Sequence, residues 1–303
     1  MEGNWALTRK RPRLEQRARI VQTIRSFFVQ RQYLEVETPH RIPGNAPEAC
    51  IDAIGSDDWF LHTSPELCMK RLLAAGYQRL FQICRCWRAE ERGARHLPEF
   101  AMLEWYAAQC DYHHLMAECE ELLRTLVPSG RLTYRSRNID LSQPFERLTV
   151  AEAFQRHARL DLRQALAAGR FDEQLALHVE PHLGQQRPTF LMEYPLELAA
   201  LARSHPARPG VAERFELYLG GMELANAFSE LTDAGEQGRR FGVEEALRRE
   251  AGKPPYPVPE KFLAELAAMP EAAGIALGLD RLVMLLTDAE AIDQVVAFPP
   301  ELL

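Results

Sequence analysis

The sequence has no long apolar run. Its longest, such as Gly274–Leu279 and Leu282–Leu286, fall far short of the roughly 20 apolar residues a membrane-crossing helix needs. It has no basic excess either. Lys and Arg total 36 against 43 Asp and Glu, a net charge of −7, so no overall positive field advertises a nucleic-acid partner. Local patches on acidic proteins do bind tRNA, so the balance lowers that expectation without closing it. The N-terminus, MEGNWALTRKRPRLEQ, is basic but lacks the apolar core of a secretory leader. Among the six cysteines, Cys50, Cys68, Cys84, Cys86, Cys110 and Cys119, there is no C-x-x-C pair and no zinc-ligand spacing. They read as reduced thiols of a cytoplasmic protein. Repeats, low-complexity tracts and flexible linkers are missing as well. What is there is an ordinary globular balance, 47% hydrophobic and 26% charged over 303 residues.

Arg13–Gln32 places Leu14, Ala18, Ile20, Val21, Ile24, Phe27 and Phe28 at helical spacing, which predicts an amphipathic helix. A β-prone stretch, Tyr33–Thr38, follows and closes at Pro39. Trp59–His62 predicts a short strand. Thr63-Ser64-Pro65-Glu66 predicts a helix start, with Ser64 as N-cap and Pro65 at the first helical position. Leu80–Trp87 and Phe100–Ala107 predict two strands, and the charged loop between them is longer than a turn requires. Long ordered loops tend to carry function. Tyr112–Leu126 predicts a helix. The stretch 130–187 is weakly patterned apart from a helix near Val150–His157, and reads as a surface insertion. Glu213–Phe228 predicts two strands about a Gly220-Gly221 turn, Asp233–Ala251 a charged helix, and Gly274–Asp280 a strand feeding a helix over Arg281–Thr287. The expected architecture is α+β: a single domain over 1–303 with an insertion at about 130–190, built on a mostly antiparallel sheet flanked by helices.

Three segments stand out together: Tyr33–Pro39 after the long helix, Phe81–Glu90 with Arg95–Phe100 and Met102–Tyr106, and Gly274–Leu286. Alone, each has a plain structural explanation. A helix ends at proline, an exposed Arg-x-Glu pair contributes little, and a turn feeds a helix. In this order and at these separations they resemble motifs 1, 2 and 3 of the class II aminoacyl-tRNA synthetases. Thr63–Glu66, Pro98–Phe100, Glu104–Tyr106, Glu216–Tyr218, Gly221–Asn226 through Glu230, and Asp280–Thr287 extend the resemblance to the lysine branch over nearly the whole chain.

Activating a carboxylate with ATP builds negative charge on phosphate oxygens as pyrophosphate leaves, so catalysis is mostly positioning and cationic stabilisation. Arginine suits this because its guanidinium is always charged and offers a bidentate fork. The resemblance implies that Arg88 bridges the α-phosphate and the substrate carboxylate, while Arg281 grips the γ-phosphate and packs on the adenine. It also implies that Glu90 reads the adenine amino group, Phe100 stacks on the other face, and His96 with Arg95 approaches the phosphates. Glu223 and Leu224 belong to the same ATP site, and Gly278 leaves room for the nucleotide. A lysine pocket must neutralise two ammonium groups and one carboxylate, since unpaired buried charge is costly. By resemblance, Glu66 beside Ser64 and Pro65 holds the α- or β-amino group, Tyr106 and Glu230 the side-chain ammonium, and Asn226 helps Arg88 with the carboxylate. Glu216 and Glu223 are implied to hold Mg²⁺ together with the ATP phosphates.

With the motif 1 helix starting near residue 13, no anticodon-binding β-barrel is expected ahead of it. The chain thereby resembles the truncated branch of lysyl-tRNA synthetase paralogues that attaches (R)-β-lysine to a lysine of translation elongation factor P. Val179–Gly184 and Arg187–Phe190 resemble that branch's insertion. Ala276 stands where lysyl-tRNA synthetases usually have glycine, and one methyl is worth about 1–3 kcal/mol of discrimination between β-lysine and lysine. Departures are Ala89 and Leu97 in place of asparagines, Trp87 in place of phenylalanine, and a shorter segment from Ser129 to Thr189. The resemblance implies ATP and Mg²⁺ as cofactors, a homodimer through motif 1, elongation factor P rather than tRNA as acceptor, and no membrane partner. The alternatives are a lysyl-adenylate-forming ligase with another acceptor, tRNA or a small molecule, and a non-catalytic synthetase paralogue.

Overall fold

Near-continuous burial along Glu99–Ala108 marks a central strand covered on both faces. In the computed structural model, which describes residues 5–303, that strand sits within an eight-stranded sheet. Its strands are β1 (Leu34–Glu35), β2 (Arg79–Trp87), β3 (Glu99–Ala108), β4 (Glu146–Thr149), β5 (Thr189–Met192), β6 (Arg214–Leu219), β7 (Met222–Ser229) and β8 (Ala272–Gly278). They run in the order β1-β2-β3-β8-β7-β6-β5-β4. Five of the seven junctions are antiparallel; only β1 on β2 and β4 on β5, at the two edges, are parallel. The α+β expectation and the mostly antiparallel sheet therefore hold.

The α-helices of eight residues or more are α1 (Trp5–Gln30), α2 (Glu66–Ala74), α3 (Tyr112–Leu126), α4 (Val150–His157), α5 (Ala234–Glu250) and α6 (Leu279–Leu286). On one sheet face, Phe27 and Phe28 of α1, Leu115 and Leu122 of α3, and Leu282 and Leu285 of α6 pack on Phe81, Leu103, Trp105 and Ile275. On the other, Leu67, Met69 and Leu73 of α2 and Phe241 of α5 pack around Leu80, Tyr106 and Ala272. The rest of this second face is open. No helix among the described residues is long and apolar enough to cross a membrane.

Helix bounds at α3 and α4 coincide with the periodicity, and the turn joining β6 to β7 uses Gly220 and Gly221 at φ 62° and 73°, a conformation glycine adopts at little cost. Four element starts differ. The first helix starts by Trp5 and runs through Pro12; its basic first turns show no apolar stripe, and Lys10 Nζ instead donates to the carbonyls of Val296 and Ala297 at 3.1 and 3.2 Å. The second starts at Glu66 rather than Pro65, yet Ser64 Oγ accepts the Glu66 N–H at 3.0 Å. β8 begins two residues early and α6 at Leu279. The absence of a leader segment was read partly from residues 1–4, which lie outside the described residues.

The weakly patterned stretch around 130–190 contributes β4 and β5, which complete the far edge of the sheet. It also carries its own apolar cluster, Phe154, Phe171, Leu175 and Val179 against Leu191 and Tyr218. Four-residue strands are too short to show a period, which is why the pattern hid them.

One buried carboxylate joins three distant segments. Asp280 on α6 is 2% exposed, accepts from Arg17 Nη1 of α1 at 2.5 Å, and accepts the Ala101 N–H of β3 at 2.7 Å. A second, Glu118 on α3, accepts from Tyr33 Oη at 2.7 Å and Trp105 Nε1 at 2.9 Å. Removing one partner of a buried pair strands the other charge. Arg17→Met should therefore lower the unfolding free energy by about 3 kcal/mol in urea melts, and adding Asp280→Asn should recover part of that loss. A loss below about 1 kcal/mol would mean that water already screens the pair.

Candidate active site

Strand register sets the floor of the open face. Across β6, β7, β8, β3 and β2, the residues Glu216, Asn226, Ala276, Glu104 and Gln82 stand in one row; Phe228, Gly274, Tyr106 and Leu80 stand in the next across β7, β8, β3 and β2. Side chains of a row share a face. Above them lies a cavity of 380 Å³ lined by Arg88, Arg95 and His96 of the long loop, Phe100 and Met102 of β3, Glu223, Leu224 and Asn226 of β7, Ala276 and Gly278 of β8, and Arg281 of α6. The loop is ordered by its own backbone: Arg88 N–H donates to Pro98 O at 2.9 Å, Gly93 N–H to His96 O at 3.1 Å, and Ala89 N–H to Asp52 O at 2.7 Å.

One end of the cavity is cationic. Arg281 Nη1 donates to Glu223 O at 2.9 Å and Oε2 at 3.2 Å, while its Nη2 meets His96 Nε2. Burial and the Arg281 charge hold the His96 pKa below its usual value. The Arg88 guanidinium stacks 5.2 Å from the Phe100 ring centroid, and Arg95 Nη1 donates to Gly221 O at 3.1 Å. A Cβ at Gly278 would come no closer than 3.5 Å to any protein atom, so packing alone does not demand glycine there. Glu90 is exposed at φ 62°, outside the lining, whereas its neighbour Glu91 lines the cavity 3.7 Å from Arg88. Leu97 is buried in an apolar cluster with Val283, Met284 and Val295, which accounts for an apolar residue at that position.

Beside this end three carboxylates gather. Glu216 is ion-paired with Arg214 Nη2 at 2.5 Å, and Tyr218 Oη lies 2.7 Å from Glu216 Oε2 and 3.2 Å from Glu180 Oε1. Burial, with Glu223 adding to it, pushes Glu216 up despite Arg214, and the same two causes push Glu180 up. Carboxylates held above their ordinary range by burial and one another are what a hard divalent cation relieves. The residues present therefore fit Mg²⁺, with Glu180 a member that sequence reasoning missed.

Past the lining residues Asn226 and Ala276, the same strand rows lead to an acidic end of this face. Glu104, 2% exposed, accepts from Ser64 Oγ at 2.8 Å and Tyr106 Oη at 2.5 Å. Pro65 is buried beneath Glu66 in sequence, and Lys70 Nζ sits 2.5 Å from both Glu66 Oε1 and Glu230 Oε2 and 5.0 Å from the Phe228 ring centroid. So Tyr106 bonds Glu104 rather than Glu230, and Glu66 and Glu230 share a resident ammonium. Burial works against the Lys70 charge, but Glu230 and Glu66 override it and hold its pKa above the usual value. Burial and Glu66 push Glu104 up to about 8, and burial, opposed by Lys70, pushes Glu230 up to about 8. Among the described residues, Glu230 Oε1 has no hydrogen-bond partner although the side chain is fully buried. An orphaned buried acceptor costs about 1–3 kcal/mol, and an entering ammonium group would satisfy it.

Between the ends, Asn226 Oδ1 accepts from Arg214 Nε at 3.0 Å. Glu48 also lines the cavity, pushed up to about 7 by burial and by Glu66. Three of the missed residues carried a signal: Glu104 lies two before Tyr106 on a predicted strand and so shares its face, and Lys70 lies one helical turn after Glu66. Arg214 is likewise two before Glu216. Glu48 lies in irregular chain and offered none.

The family described as tRNA synthetases class II (D, K and N) matches residues 6–301. Curated relatives from Salmonella dublin and Erwinia tasmaniensis, each described as elongation factor P–(R)-β-lysine ligase, are 39% identical over 98% of this chain and 97% of their own length. With motifs 2 and 3 converging on one cavity and the family match spanning nearly every residue, the chain belongs to the class II aminoacyl-tRNA synthetases of the aspartate, lysine and asparagine group.

Proposed function

We propose that the protein is a ligase that activates (R)-β-lysine, or lysine, with ATP as an aminoacyl adenylate and transfers it to a lysine side chain of translation elongation factor P. The observation that carries the reading is the polarity of this sheet face: arginines line the cavity, and buried carboxylates with an unsatisfied oxygen stand on the adjoining strand rows. It matches a diamino acid laid against a triphosphate. The substrate carboxylate oxygen attacks the α-phosphorus, the bond to the β-phosphate oxygen breaks, and pyrophosphate leaves. Arg88 orients both reacting groups, and Arg281 with His96 and Arg95 holds the departing phosphates. Mg²⁺, held by Glu216, Glu223 and Glu180, would neutralise phosphate charge. Phe100 packs on the adenine, Glu230 and Glu66 take the ammonium groups, and Asn226 steadies the carboxylate. In the second step the neutral amine of the acceptor lysine attacks the acyl carbon, AMP leaves, and the nitrogen loses a proton to give an amide.

The test is pyrophosphate exchange with lysine and (R)-β-lysine, then intact-mass analysis of elongation factor P incubated with enzyme, ATP and Mg²⁺. A lysyl-sized gain on the factor, with tRNA uncharged, is expected. Exchange without that gain moves the acceptor to tRNA or a small molecule, and no exchange with either amino acid sinks the lysine pocket.

Two further outcomes concern the acidic end. A Cβ at Gly274 would collide with Tyr106 Cε1 and Glu230 Oε1. Gly274→Ala should therefore raise the KM for lysine in exchange at least about tenfold, equivalent to about 1.4 kcal/mol, while the KM for ATP moves little. Equal shifts in both would show that the strand, rather than the pocket, was disturbed. The second is pH dependence. With Glu104 and Glu230 pushed up to about 8 and Glu48 to about 7, the empty pocket holds protons that an ammonium group must displace. The KM for lysine should fall as pH rises from about 6.5 to about 8 and then level off. Over the same rise the unliganded protein should lose thermal stability, because its native state keeps protons that the unfolded chain has already released. A pH-independent lysine KM would show that these carboxyls ionise normally.

A further inference from the structure

Four soft donors converge on the sheet face below the nucleotide end of the cavity, and nothing in the adenylation chemistry uses them. Cys84 and Cys86 lie two apart on β2 and so project from the same face. Met102 of β3 is registered opposite Cys84, and His62, just ahead of α2, closes the group. Cys86 Sγ is the hub, 3.9 Å from Cys84 Sγ, 3.9 Å from His62 Nε2 and 3.9 Å from Met102 Sδ. The Cys and His donor atoms all lie within 4.8 Å of one another, and all three residues are buried.

Two thiolates bound at 2.3 Å to one tetrahedral ion stand about 3.8 Å apart, which is the spacing the cysteine pair already has. Thiolate, imidazole and thioether are soft or borderline ligands that select zinc, cadmium or cuprous ions over magnesium. The cluster therefore differs in kind from the carboxylates beside Arg214. Charge balance also permits burial: a divalent ion enters, two thiol protons leave, and the site stays neutral. His62 Nε2 now lies 2.6 Å from Arg85 O; on metal binding its proton moves to Nδ1 and that hydrogen bond is exchanged for the ion.

We propose that Cys84, Cys86, His62 and Met102 form a binding site for one thiophilic d¹⁰ cation, with Zn²⁺ the type ion. Such an ion ties β2 to β3 two residues before Arg88 and two after Phe100, at the roots of the loop that grips the nucleotide. C-x-C on a strand has none of the loop spacing by which zinc sites are read from sequence, so the site was invisible there.

The experiment uses the full chain without ATP or amino acid and Cd²⁺ as the probe, read by equilibrium dialysis with metal analysis and by the ultraviolet thiolate-to-cadmium charge-transfer band. One Cd²⁺ per chain with that band is expected, together with a rise in thermal midpoint that grows with Cd²⁺ concentration. Cys86→Ser should abolish the band, and Cys84→Ser should weaken binding at least tenfold. Cys50→Ser, at an exposed cysteine, should change neither. Circular dichroism establishes that each variant is folded; should Cys86→Ser not fold, Met102→Leu and His62→Gln carry the test, each weakening binding while leaving the spectrum of the apo-protein intact. Absence of the band in the wild-type chain, or its loss in Cys50→Ser with retention in Cys86→Ser, overturns the proposal.

Discussion

The contact on which the active site's geometry depends is the pair of bonds made by Asp280. Through it the first turn of α6 is fixed at once to α1 by Arg17 and to the start of β3 by the Ala101 N–H. The next residue is Arg281, and the residue before Ala101 is Phe100. One carboxylate thus anchors the neighbours of both the arginine and the aromatic ring that line the nucleotide end. A buried ion pair is a poor source of net stability, because desolvating both partners costs most of what their attraction returns. What it provides is a unique arrangement, since any other packing of α6 would strand a charge.

Register carries that precision inward. Because successive side chains of a strand alternate faces, a slip of one residue between β3 and β8 would exchange Glu104 and Tyr106 for Trp105 and turn the acidic end into core. The cost of keeping it is visible in the carboxyls. Glu104 and Glu230 are buried against one resident cation, Lys70, and sit well above their ordinary range. The fold therefore holds a local conflict, with more buried acid than base and one carboxylate oxygen left unbonded. Conflicts of that type collect at functional sites, where a ligand resolves them. Lys70 keeps the conflict tolerable in the empty protein while leaving room for an ammonium group to compete.

What the sequence disclosed followed the physics that generates each signal. Long elements with a period, α3, α4, β2, β3 and the β6–β7 hairpin, were legible to within a residue or two. The basic first turns of α1 were not, because their contacts run to the carbonyls of Val296 and Ala297 and leave no apolar stripe. The nucleotide end was legible because Arg88, Arg95, His96, Phe100 and Arg281 stand at family spacing, and the structure brings them together. Glu90 was expected there, yet its left-handed backbone leaves it outside and Glu91 lines the wall instead. Loop conformation is decided by hydrogen bonds such as Ala89 to Asp52, which no local pattern encodes. Partner choices among acids were equally hidden: Tyr106 with Glu104, and Lys70 between Glu66 and Glu230, are tertiary facts.

The width of the cavity rests on what β8 omits. Its inward residues are Gly274, Ala276 and Gly278, so the floor between β7 and β3 carries one methyl group in three positions. At Gly274 the missing Cβ is structural, since Tyr106 and Glu230 occupy its place. At Gly278 a Cβ would only touch the Arg281 side chain, at 3.5 Å, and the position lines the cavity. Ala276 lies between Asn226 and Glu104, which on the proposed function is beneath the span from a substrate's carboxylate to its amine. A floor this bare lets a ligand lie against the strand backbone, and the single methyl falls where a one-carbon change in the position of an amino group would be felt. Steric discrimination by one methyl amounts to about 1–3 kcal/mol. On the proposed function the charges at the two ends select a diamino acid, and the shape of β8 governs how it lies between them.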